Sequence, residues 1–63
     1  LKEFHTKVEG FDSLIDDYYT ENYISRGDSV DEAIKYAKIM FLSEHEDCHI
    51  DDLVVECYSI NID

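Results

Sequence analysis

The sequence predicts an α+β fold: a three-stranded antiparallel sheet with one helix packed on one face, in the element order β-β-α-β. Three observations predict it. A capped, amphipathic segment lies mid-chain, two β-forming segments precede it, and one follows it. Sixty-three residues make a single domain, 1–63, and a chain this short buries only about 60% of its unfolded surface. It has no Pro, no internal repeat, no low-complexity stretch and no linker.

In residues 1–9, Phe4, Thr6 and Val8 fall on one side and His5, Lys7 and Glu9 on the other, the period of a strand. Residues 18–25, YYTENYIS, are rich in Tyr, Thr and Ile, which suit a pleated surface. Between them GFDSLIDD makes a connection too long for a tight two-residue hairpin. Gly27 breaks the second segment, and Ser29 with Glu32 forms a capping box. Val30, Ala33, Ile34, Ala37, Met40 and Phe41 then recur at three- and four-residue spacing, which predicts a helix over 30–46. DLVVECYSINI, 52–62, has the composition of a strand.

The first two strands pair antiparallel, and the last lies beside the first, giving strand order 2-1-3 with a right-handed crossover. One helix covers one face of three strands. If Leu53, Val55 and Cys57 point towards it, Val54, Tyr58 and Ile60 point away. On the helix, Tyr36, Ile39 and Leu42 lie off the main apolar face. This surplus predicts a homodimer, with Tyr36, Ile39, Val54 and Tyr58 at the interface and Leu42 a weaker candidate. Scattered surface hydrophobes are the plainer explanation for the same residues.

Charge narrows the function. Sixteen Asp and Glu stand against five Lys and Arg, a formal net charge of −11. Direct nucleic-acid binding requires clustered Lys and Arg and is excluded, as is an anionic membrane surface. The chain is nonetheless 44% hydrophobic and 13% aromatic, enough to fold. Solubility alone asks for a net charge of about 2–8 in a small domain. The excess carries self-repulsion and points to a positively charged protein surface as partner.

The carboxylates fall in three groups. Asp12, Asp16 and Asp17 sit in the first connection, with Glu21 on the following strand. Asp28, Asp31 and Glu32 surround the helix start, where they complement the helix dipole. Glu44, Glu46, Asp47, Asp51 and Asp52 crowd the helix end, where negative charge opposes the dipole. That placement weakens the helix, so it implies another use. Carboxylates two apart on a strand lie about 6.6 Å apart, and four apart on a helix about 6 Å. A folded acidic surface of this kind can approximate a row of DNA phosphates, which carry about one charge per 3.4 Å of each strand.

Other chemistries fit less well. His45, Cys48 and His49 stand close in sequence, but the paired motifs of a zinc site are absent, so no metal or other cofactor is expected. Asp47 to Tyr58 lacks the Gly and Glu of a calcium-binding EF-hand loop. No nucleophile elbow and no phosphate-cradling Gly loop occur, so no catalytic residue is assigned and an enzyme is not expected. Cys48 and Cys57 read as reduced thiols of a cytoplasmic protein, with one of them buried. No signal-peptide pattern and no apolar run of membrane-spanning length appear.

In size, charge and element order, the chain resembles the small acidic phage-encoded proteins that mimic DNA and disable host proteins. The resemblance is nearest to those that inhibit the bacterial histone-like protein HU. It is carried by the capped helix SVDEAIKYAKIMFLSEHED, the strand LVVECYSI and the acidic groups around them. It implies a dimer in the host bacterial cytoplasm that occupies the DNA-binding site of HU and disturbs the nucleoid. Two other classes compete with it: an antitoxin-like module that neutralises a basic nuclease, and a general protein-interaction domain kept soluble by its charge.

Overall fold

Strict alternation makes the first segment the central strand, because a strand flanked on both sides and covered by a helix must bury one whole face. The computed structural model describes residues 1–62 and contains β1 (Lys2–Asp12), β2 (Asp17–Gly27), α1 (Val30–Glu44), a 3-10 turn at Ile50–Asp52 and β3 (Val54–Asn61). The sheet order is β2-β1-β3, with both pairings antiparallel. The predicted order and layering hold. Phe4, Thr6, Val8 and Gly10 are all buried beneath the helix. Register places Val8 between Glu21 and Val55, and Thr6 between Tyr23 and Cys57.

The first hairpin differs from expectation. Both strands are 11 residues long, and the connection shrinks to residues 13–16. Gly10, which reads as a turn residue, is inside β1, where a side chain has no room. A Cβ there would lie 2.7 Å from Phe41 and 2.8 Å from Leu53. Asp12 continues the strand and is buried, and its Oδ1 accepts the backbone N–H of Leu14 at 2.8 Å. That bond, with Asp16 in the left-handed region (φ 54°), closes the turn.

The helix starts as predicted, with the Ser29 Oγ accepting the Glu32 N–H at 3.3 Å. It ends two residues early, at Glu44. The His45 N–H still bonds to the Phe41 carbonyl at 2.8 Å, but its backbone leaves the helical region and its ring turns inward. Ala33, Ala37 and Phe41 make the buried stripe. Two alanines let the helix lie close on the sheet, and Phe41 fills the space above Gly10. Val30 overhangs and is exposed, whereas Leu42 packs against the core rather than facing solvent. β3 starts at Val54, after the 3-10 turn. As expected, Leu53, Val55 and Cys57 are the more covered residues, while Val54, Tyr58 and Ile60 are exposed on the open face. Cys48 is buried, Cys57 half-buried, and both are free thiols. Among the described residues, no helix is long and apolar enough to cross a membrane.

Candidate acidic interface

The antiparallel register decides where the carboxylates meet. β1 runs from the helix start towards the helix end, so its turn into β2 lies beside the segment that follows the helix. A bridge between Asp12 and Cys48 joins the two directly. Tyr19 stacks on His45 with centroids 4.1 Å apart, and Phe41 flanks the same ring at 4.7 Å. The first and third acidic groups, remote in sequence, therefore share one end of the molecule. Asp16, Asp17, Glu21, Glu44, Glu46, Asp47, Asp51 and Asp52 gather there. Of the five cations, Lys2, Lys7, Arg26, Lys35 and Lys38, two approach this region: Lys35 and Lys38 line a groove with Ile50, next to Asp51.

The carboxylates at this end are not equivalent. Asp12 is consumed by the turn. Glu44 accepts a hydrogen bond from the Tyr23 hydroxyl; burial and then this carboxylate push the Tyr23 phenol above its ordinary range. Glu21 is half-buried, with Oε2 3.5 Å from His45 Nε2, a nitrogen that is buried without a hydrogen-bond partner. Asp16, Asp17, Glu46, Asp47, Asp51 and Asp52 are exposed and make no ion pair among the described residues. The last turn of the helix holds no basic residue. Like charges and an unfavourable dipole act together here, each at about 0.3–1 kcal/mol.

Asp28 and Glu32 lie beside Ser25, Arg26 and Gly27 at the opposite end of a body 43 Å long, whereas Asp31 lines a groove with Lys38 and Ile50, next to Asp51. Gly27 pairs with Lys2 there, and Arg26 lies 3.6 Å from Glu3, so this end is of mixed charge. The structure thus brings together two of the three predicted groups and leaves Asp28 and Glu32 of the other at the far end. Tyr36 lies towards β2, beside Ser25 and Arg26, while Ile39 lines a groove with Ile34 and Ile50 on the β3 side. Val54 and Tyr58 are on the open sheet face, where Tyr58 stacks on His5 at 5.0 Å. His45, Cys48 and His49 do not converge. Cys48 is buried beside Asp12 and His49 is exposed, and no three metal-binding side chains cluster among the described residues.

Sequence reasoning passed over the hairpin tip. Leu14 is 76% exposed and Ile15 51% exposed, between Asp12 and Asp16. The tip extends beyond β3, whose first residue pairs with Glu9. Two large apolar residues in a turn otherwise made of Asp and Ser were the available signal. The chain matches no protein-family model, no curated protein and no solved structure.

Proposed function

We propose that this protein binds the DNA-binding surface of a basic host protein through its acidic end and so blocks access of DNA. The observation that carries the reading is the convergence of two sequence-remote acidic groups, which the Asp12–Cys48 bridge joins, with six of their carboxylates outside any ion pair among the described residues. Such an end opposes folding through self-repulsion and complements a surface built to hold phosphates. Six exposed carboxylates there are free of ion pairs among the described residues and ready to meet Lys and Arg. Attraction of this kind speeds encounter and selects partners by charge. On the resemblance, the preferred target is the histone-like protein HU, and the site of action the bacterial cytoplasm at the nucleoid.

The hairpin tip favours a second reading. Leu14 and Ile15 project from the acidic end as an apolar point, a shape suited to a concave basic site such as a nuclease cleft. An antitoxin-like module would use the same carboxylates around an inserted tip. Immobilised protein exposed to bacterial lysate, with DNase treatment and a salt series, separates the two. HU in the eluate supports occupation of a DNA-binding surface, and one nuclease supports neutralisation. Retention of neither, or retention insensitive to salt, contradicts an electrostatic interface.

A further inference from the structure

We infer that β3 takes an extended basic segment of a partner protein as a fourth, antiparallel strand, with Lys and Arg of that segment running on into the acidic end. The inference rests on the reading of a basic partner and not on the blocking of DNA.

β3 is an outer strand of the sheet and pairs only with β1. A bare edge offers a row of backbone N–H and C=O groups to any extended chain, and proteins guard it with Pro, Lys, a bulge or an inward-pointing charge. β2, the other edge, is guarded: Glu21 stands opposite Val8 on the helix side, and Arg26 lies near its end. β3 has no such guard. Its sequence VVECYSIN holds one charge, Glu56, on the open face, and its register with β1 runs without a bulge. Strand addition draws affinity from the bare backbone groups and selectivity from alternate side chains.

Charge decides what the segment carries. No Lys or Arg follows Lys38 in the chain. Asp51 and Asp52, both exposed, stand immediately before Leu53 and the start of the strand. Glu56 is in register with Lys7 but forms no ion pair among the described residues, so its carboxylate is available on the outer side. Lys35 and Lys38 approach only from the helix, where they line a groove with Ile34, Ile39 and Ile50. The two faces of the added strand therefore differ. Its side chains on the helix side are apolar, which suits the isoleucines and avoids the two lysines. On the open face they are basic opposite Glu56 and apolar opposite Val54 and Ile60, which are 61% and 47% exposed.

Polarity follows from the ends of the strand. Both pairings already in the sheet are antiparallel, and antiparallel pairing is the more stable per residue. β3 runs away from Asp51 and Asp52, so an antiparallel neighbour runs towards them. Roughly three residues past Val54, about 10 Å of extended chain, bring the end of the segment alongside both carboxylates. One segment then uses backbone pairing and charge together. β3 of a second copy can pair along the same edge but carries no Lys or Arg to follow it.

The probe is a blocked peptide, VTTVKVVRKK, which sets Val opposite Ile60 and Val54, Lys opposite Glu56, and its basic tail beside Asp52 and Asp51. Calorimetric titration of the intact chain should show binding that weakens as salt rises. Amide hydrogen exchange should show new protection on alternate residues of β3. Two versions of the peptide, N-methylated at one or the other set of alternate residues, have the same charge. One loses its bonds to β3 and should bind at least about tenfold more weakly, while the other binds like the parent. Glu56→Lys should weaken binding by up to about fivefold. Asp51→Lys with Asp52→Lys should weaken it and flatten its salt dependence. Equal binding of the two N-methylated peptides would show capture by charge alone, overturning the inference and leaving the acidic end as an interface. No binding of the parent peptide, or new protection on β2 in place of β3, would overturn it as well. Outward amides of β3 already protected in the chain alone would give the edge to a second copy, with the same consequence.

Discussion

Gly10→Ala tests whether the acidic end is assembled by the close approach seen between β1 and the helix. The added methyl would sit 2.7 Å from Phe41 Cε1 and 2.8 Å from Leu53 Cδ2. Leu53 is half-buried and can shift, but Phe41 is fully buried and has nowhere to go. Overpacking of this kind costs about 1–3 kcal/mol. Ala in place of Gly within a regular element returns about 0.5–1 kcal/mol. The expected net loss is about 1–2 kcal/mol, a fall in Tm of roughly 5–15 °C for a domain of this size. Urea denaturation followed by circular dichroism measures it. In a Phe41→Leu background the loss should shrink by at least about 0.5 kcal/mol, because the clash partner is smaller. A stabilising Gly10→Ala, or strict additivity with Phe41→Leu, would refute the packing argument and the placement of the hairpin against the helix end.

Alkaline pH should weaken the fold. Burial, reinforced by Asp12 and Asp47, pushes the Cys48 thiol up. Above about pH 8.5, where an unfolded thiol ionises, the native state holds a proton that the unfolded chain has released. Stability is therefore intact below that pH and falls as pH rises through the window. Tyr23, also shifted upward, adds a loss of the same sign above about pH 10; urea midpoints from pH 7 to 10.5 report both. Glu46→Lys with Asp47→Lys and Asp51→Lys should leave the fold intact, raise its stability by up to about 1 kcal/mol, and reduce binding to a basic partner. Unchanged capture by that triple variant in a pull-down would remove the acidic end from the interface. Leu14→Ser with Ile15→Ser should alter stability by no more than about 0.5 kcal/mol, since both are exposed. If the tip enters a partner's cleft, the same pair reduces affinity with net charge unchanged, which a salt titration separates from electrostatic loss.

Element order, sheet order and the covered face were legible because they rest on periodicity. Phe4, Thr6 and Val8 alternate, Ser29 caps, and Ala33, Ala37 and Phe41 repeat along one stripe. Boundaries were less legible where a residue serves a tertiary purpose that its type disguises. Gly10 reads as a turn but gives room to Phe41, and Asp12 reads as a surface acid but ties down the hairpin. His45 ends the helix because its ring is drawn between Tyr19 and Phe41, a contact invisible to local propensity. The acidic residues themselves were plain, but their grouping was not. Only the register of a hairpin with a four-residue turn carries Asp16 and Asp17 to the same end as Glu46 and Asp47, and leaves Asp28 and Glu32 behind.

The measurement that bears most directly on the proposed function is displacement of labelled duplex DNA from purified HU. Fluorescence anisotropy should fall to the free-DNA value as the protein is added, with half-displacement shifting to higher concentrations as salt is raised. The protein alone should leave the anisotropy of the DNA unchanged. DNA that stays bound at large excess, or displacement unaffected by Glu46→Lys with Asp47→Lys and Asp51→Lys, would contradict occupation of the DNA-binding surface by the acidic end.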